Sequence, residues 1–223
     1  MSRSKLLLFV ALIAFIVITC ISPVYPHEQF LQHAGTVLLL IPILYDVAKN
    51  RMPMAAFAGL VIFTMLHAVG ARYIYSYVPY KEWCVSAGIV GADFFQNPRN
   101  HYDRFVHLSF GLFLFPYLLW LCQRLFRQYL PKQRGPGLGP IFMAWLIVQT
   151  GSMVYELFEW LLTIVMTPEQ ADGYNGQQGD LWDAQKDMAW AMLGSTIMAL
   201  YYICRKRKRT QSTNIHQYSK LFQ

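Results

Sequence analysis

Residues 153–166 read MVYELFEWLLTIVM, an apolar run interrupted by two carboxylates, Glu156 and Glu159. With its flanks the run is long enough to cross a membrane, and a carboxylate in hydrocarbon costs roughly 3 kcal/mol on insertion scales. Such a group is therefore rare at that depth, and by default it marks a functional position with a partner. Positions three or four apart share one face of a helix. Ser152 and Gln149 extend that face, so a polar stripe runs through 149, 152, 156 and 159. Lipid cannot solvate the stripe, and the interior of a helical bundle can.

The rest of the chain agrees with a membrane setting. Of its 223 residues, 55% are hydrophobic and 14% charged, against about 25% charged in a soluble domain. Mean hydropathy is +0.29. A spanning helix takes about 20 apolar residues. The apolar runs predict six spans, at about 5–24, 31–48, 54–76, 104–125, 138–165 and 185–204. The expected architecture is all-α, a single polytopic bundle over 1–223 with 205–223 as a basic cytoplasmic tail.

Charge sets the orientation, because Lys and Arg concentrate in cytoplasmic loops. With both termini inside, the inner segments hold Arg3, Lys5, Lys49, Arg51, Arg124, Arg127, Lys132, Arg134, the run 205–209 and Lys220. The outer side keeps Arg72, Lys81, Arg99, Arg104 and Lys186, and of the acids only Asp46 falls inside. The net charge of +7 then reflects loop asymmetry and a basic stop after the last span, not a nucleic-acid surface. The first span follows MSRSK with no A-x-A-like cleavage site and reads as an uncleaved signal anchor. Cys20, Cys84, Cys122 and Cys204 form no CxxC motif. Cys20 and Cys84 share the outer face, where a disulfide is chemically allowed; Cys122 and Cys204 read as core.

Other polar residues fall near the depth of the glutamates. His67 lies about 12 Å below the outer end of the third span. Asp103 and His107 open the fourth on one face, and Asp180, Asp183 and Asp187 form a single stripe where the sixth begins. Histidine with carboxylates is a ligand set for a hard or borderline divalent ion such as Zn, Mn, Mg or Ca. So many carboxylates cannot all stay ionised without a cation. Arg72, Arg104 and Lys186 supply part of that charge. Each residue also has a plainer reading: Asp103 with Asn100 as a helix cap, Asp180 and Asp183 as first-turn acids, His67 and His107 as hydrogen-bonded core histidines. The two glutamates have no such local role. They are the candidate catalytic groups, and His107, Asp103, His67, Asp180, Asp183 and Asp187 the candidate metal ligands.

These segments carry a resemblance. YDRFVHLSFGLFL (102–114) resembles the Asp-[Lys/Arg]-x-x-His segment of VanZ-like membrane proteins. YELFEW (155–160) is similar to their Glu-x-x-[Gln/Glu] helix, and GDLWDAQKDMAWAMLGSTIMAL (179–200) to their aspartate-rich ending. The matching positions are Asp103, His107, Glu156, Glu159, Asp183 and Asp187. The Asn usual after the last aspartate is absent; Trp190 and Ala191 stand there. Over its whole length the chain resembles the YjdF family of uncharacterised bacterial inner-membrane proteins. The family resemblance implies a multi-pass inner-membrane protein without an assigned reaction, and the VanZ-like one an association with glycopeptide resistance.

Three classes of function follow. The first is an enzyme in which a metal and a glutamate base act at the outer face on membrane lipid or a lipid-linked envelope substrate; HExxH is absent. The second is a proton- or cation-coupled transporter, although no internal repeat is evident and the inner halves of the spans are nearly featureless. The third is a non-catalytic envelope or stress protein whose polar cluster holds the bundle together.

Overall fold

The computed structural model describes residues 2–90, 98–129, 137–167, 171 and 175–221, with side chains to 206. Loop residues 91–97, most of the KQRGPGLGP linker and the tail side chains lie outside the described residues. Among the described residues the regular elements are all helices: α1 (Arg3–Cys20), α2 (Pro26–Lys49), α3 (Met54–Arg72), the short α4 (Tyr80–Ser86), α5 (Tyr102–Tyr129), α6 (Leu138–Val165) and α7 (Asp183–Leu221).

Five of these, α1, α2, α3, α5 and α6, are long and apolar enough to cross a membrane. The span expected at 185–204 lies inside α7 but does not join those five by length and composition. Its acids at one end and the RKRKR run at the other dilute the apolar stretch. The helical backbone of α7 continues through the segment read as a tail, to Leu221. The first span ends earlier than expected, at Cys20, where Ile21 turns extended. The third ends at Arg72, followed by the left-handed residues Ile74 and Tyr75.

Packing separates inner from outer helices. In α3, 61% of the apolar window is buried, against 17% in α1, so α3 is enclosed and α1 turns most of its surface to lipid. Hydrophobicity alone cannot drive helices together in lipid; close van der Waals fit at small residues does. Two apolar clusters result. One joins α1, α2, α3 and α5 around Phe57, Leu60, Val61 and Ile43. The other joins α5, α6 and α7 around Phe115, Leu119, Ala144 and Val148.

The α5–α7 crossing depends on glycine. A Cβ at Gly111 would lie 2.3 Å from the Ala191 carbonyl oxygen and 2.6 Å from the Ser195 nitrogen. A Cβ at Gly194 would lie 2.3 Å from the Leu108 carbonyl oxygen. Only paired glycines let these backbones approach so closely. His107 lies four residues before Gly111, and Asp187 seven before Gly194, so the crossing carries both side chains inward together.

At the opposite end, Lys5 and Asp46 form a buried ion pair, Nζ to Oδ2 at 2.6 Å. Lys5 also donates to the Met52 carbonyl at 2.7 Å, and Asp46 Oδ1 accepts the backbone N–H groups of Arg51 and Met52 at 2.6 Å each. Lys5 thus ties α1 to the α2–α3 turn, in which Asn50 takes the left-handed conformation. Arg72 serves α1 at its other end. Its Nη1 donates to the carbonyls of Thr19 (2.6 Å) and Ile21 (2.8 Å), and its Nη2 to that of Ser22 (3.2 Å). The Thr19 carbonyl is in the last turn of α1, which a helix leaves unpaired, and Ile21 and Ser22 follow directly, so Arg72 caps α1, where a role in neutralising the acid cluster was expected.

Candidate functional site

The polar stripe of α6 faces inward as its spacing predicts: Ser152, Glu156 and Glu159 are all buried. Opposite, on α5, Asp103 and His107 are buried one turn apart. From α7 come Asp183 and Asp187, also buried. His107 is the centre. Its Nε2 lies 3.2 Å from Glu156 Oε1 and 3.8 Å from Asp103 Oδ1, and its Nδ1 lies 3.5 Å from Ser152 Oγ. Ligand atoms of Asp103, His107 and Asp187 lie within 4.8 Å of one another.

Among the described residues, two oxygens in this pit are buried without a hydrogen bond, Glu156 Oε1 and Asp187 Oδ1. Glu156 has the distance to His107 but not the alignment of a bond. Leaving a buried acceptor unpaired costs about 1–3 kcal/mol, more when it is charged. Glu159, one turn further along the same face, is buried as well. Acceptors crowd this volume and donors are scarce, which fits a cation or shared protons.

The structure does not bring every expected ligand here. His67 donates from Nε2 to the Gln32 carbonyl at 3.1 Å and accepts at Nδ1 from the Tyr75 hydroxyl. Both ring nitrogens are committed, and the ring sits against Gly35 of α2. Asp180 and Asp183 stand one layer up, in ion pairs. Asp180 meets Arg104 and Lys186, and Asp183 meets Arg99 and Arg104. The Lys186 and Trp182 hydrogen bonds, with Arg104, hold the Asp180 carboxyl far below its ordinary range. Of Asp103 and Asn100, considered together as a helix cap, Asn100 makes the bond, its Oδ1 accepting the Tyr102 N–H at 3.0 Å. All four cysteines are free; Cys122 is buried, and Cys204, expected in the core, is exposed.

The loops before α5 and α7 are knit together over the pit. Asn100 N–H donates to Gln178 Oε1 at 2.8 Å, and Gln178 Nε2 returns a bond to the Asn100 carbonyl at 3.0 Å. Gln178 and Gly179 adopt positive φ, and a Cβ on Gly176 would strike Ser76 Oγ at 2.6 Å. Sequence reading missed this clamp and the Lys5–Asp46 pair; both join segments far apart in the chain, beyond the reach of periodicity.

Fold and pit together define a polytopic helical membrane protein with a buried acid–histidine cluster at one end of its bundle. A family model described as "Predicted membrane protein (DUF2238)" matches residues 4–208, and the chain belongs to that family. It is also similar to the inner membrane protein YjdF of Escherichia coli (strain K12), 28% identical over 192 residues, 82% of this chain and 84% of that one. No solved structure matches it.

Proposed function

We propose that this multi-pass membrane protein lies in the bacterial inner membrane with both termini cytoplasmic, and that its acid–histidine pit does metal-dependent chemistry on a lipid or envelope substrate at the periplasmic face. The similarity to an E. coli inner membrane protein supports the location. The excess of Lys and Arg in the inner segments supports the orientation. One observation carries the chemistry: Asp103, His107 and Asp187 aim buried ligand atoms at a common volume, beside unbonded oxygens of Glu156 and Asp187.

Asp103, His107 and Asp187 would hold a divalent ion of the Zn, Mn, Mg or Ca type. Such an ion supplies Lewis acidity toward a water or substrate oxygen. Glu156, 3.2 Å from the His107 ring nitrogen, and Glu159, one turn further along α6, are placed to take and return a proton. Ser152 holds the other side of the His107 ring.

A cation- or proton-coupled carrier is the second reading. A short polar file favours it, continuing from the pit toward the Lys5 end: Gln149 donates to Ser195 at 2.8 Å, and Trp145 donates to Thr196 at 3.0 Å.

Metal content of the purified protein in mild detergent tests the first reading. About one equivalent of a divalent metal in wild type, lost in Asp187→Ala and His107→Ala, is expected. A folded, metal-free wild type would sink it in favour of proton relay or a structural cluster. The double substitution Glu156→Gln/Glu159→Gln separates those: a retained fold with lost function supports a site, and failure to accumulate supports a structural role.

A further inference from the structure

Away from the pit, a second group of ligating side chains gathers where α1 meets α2. Cys20 ends α1. Gln29, His33 and Thr36 follow one another on a single face of α2, at spacings of four and three. Cys20 Sγ lies 3.4 Å from His33 Nε2. Gln29 Nε2 lies 3.3 Å from that ring nitrogen and 3.9 Å from the sulfur. His33 Nδ1 stands 3.0 Å from Thr36 Oγ1. Cys20 is exposed, whereas Gln29 and Thr36 are each only 3% exposed.

The three separations fit the edges of one tetrahedral face. Zinc bonds to thiolate, imidazole and amide oxygen put the ligand atoms roughly 3.4–3.6 Å apart. With its Nδ1–H given to Thr36, His33 turns the Nε2 lone pair toward Cys20, the outer-shell arrangement that orients ligating histidines. Gln29 lacks a partner on one side: its Oε1 is buried without a hydrogen bond, and an unmet buried acceptor is costly. A half-turn of the amide exchanges Oε1 with Nε2 and brings the oxygen to the sulfur and the imidazole. The bond given up is that from Gln29 Nε2 to the Thr19 carbonyl, at 2.9 Å. That carbonyl keeps Arg72 Nη1 at 2.6 Å.

We propose that Cys20, His33 and Gln29 bind a borderline divalent cation of the zinc class, with water in the fourth position, and so clip the end of α1 to α2. The thiol proton leaves to solvent as the thiolate–metal bond forms. The exposed sulfur is the way in. Thiolate sulfur separates this site from the pit, whose ligands are two carboxylates and one imidazole. The two sites lie on different helices, and neither reading depends on the other.

The test uses the full-length chain with Cys84→Ser, Cys122→Ser and Cys204→Ser, stripped with chelator in mild detergent and titrated with cobalt(II), then with zinc. A thiolate–cobalt bond gives a charge-transfer absorption that the pit cannot produce. That band should saturate at about one equivalent and be bleached by zinc. It should vanish in Cys20→Ser, and His33→Asn should bind at least tenfold more weakly. Gln29→Glu, which presents oxygen without the half-turn, should bind several-fold more tightly. No band, a band as strong in His33→Asn, or no tightening in Gln29→Glu overturns the proposal; the second of these would show a lone thiol collecting cobalt by itself. Asp187→Ala should leave the band in place, and Cys20→Ser should leave the metal count of the pit, so each reading fails or stands separately.

Discussion

Histidine shows at the residue scale why periodicity is only half of an assignment. His67 and His107 look alike in sequence, each a lone imidazole inside an apolar helix. His107 meets Asp103, Glu156 and Ser152, while His67 is spent on Gln32 and Tyr75. The stripe of Glu156 and Glu159 was legible because a carboxylate in hydrocarbon persists only where a partner meets it. The fates of His67, Asp180 and Arg72 were not, because each was decided by a partner on another element. Lys5, read as a topogenic charge, is a buried partner of Asp46. Removing one member of a buried pair typically costs about 3–5 kcal/mol. Lys5→Met should therefore lower the melting temperature more than Lys5→Met/Asp46→Asn, where the amide still accepts at the turn; equal losses would show that the charge pairing is immaterial. His101 gives a pH dependence. Burial first, then Arg104, Arg99 and Lys81, hold it below its ordinary 6.5. The folded state resists a proton that the unfolded chain accepts, so stability should fall as pH drops below about 6.5. The melting temperature should drop between pH 7.5 and 5.5, and less so in His101→Asn; an identical drop in the variant removes His101 as the cause.

Among elements, the α5–α7 crossing matters most, since α7 brings Asp187 to the ligands on α5. Gly111 and Gly194 face backbone atoms, not flexible side chains, so an added methyl must push the helices apart. Overpacking costs about 1–3 kcal/mol. Gly111→Ala should lower stability by that order and also lower metal content, with no ligand altered. Full metal binding in a destabilised Gly111→Ala would mean that the crossing does not set the ligand spacing. The existence of these helices was readable from apolar length; their closeness was not, because a glycine in a membrane helix carries no mark of what it faces. The short α4 and the clamp of Asn100 on Gln178 were equally silent, since loop contacts follow no period.

For the whole molecule, the sequence predicts an even number of crossings and five helices pass by length and apolarity, so α7 decides on which side the chain ends. In a cysteine-free background, Ser22→Cys should react with an impermeant maleimide from the periplasm, and Lys206→Cys only after the membrane is opened. Reaction of both from the periplasm would mean that α7 does not cross. The Lys5–Asp46 contact has a consequence in time. The two residues are 41 positions apart, so during synthesis Lys5 emerges and enters the bilayer well before its counter-charge has been made. Until the α2–α3 turn arrives, α1 has an ammonium at its end that only water or lipid headgroups can solvate, which keeps that end at the surface. The pair then closes as α2 and α3 enter. Every partner of this pair lies in the first three helices and their turn, so its closure waits on none of the helices that build the pit.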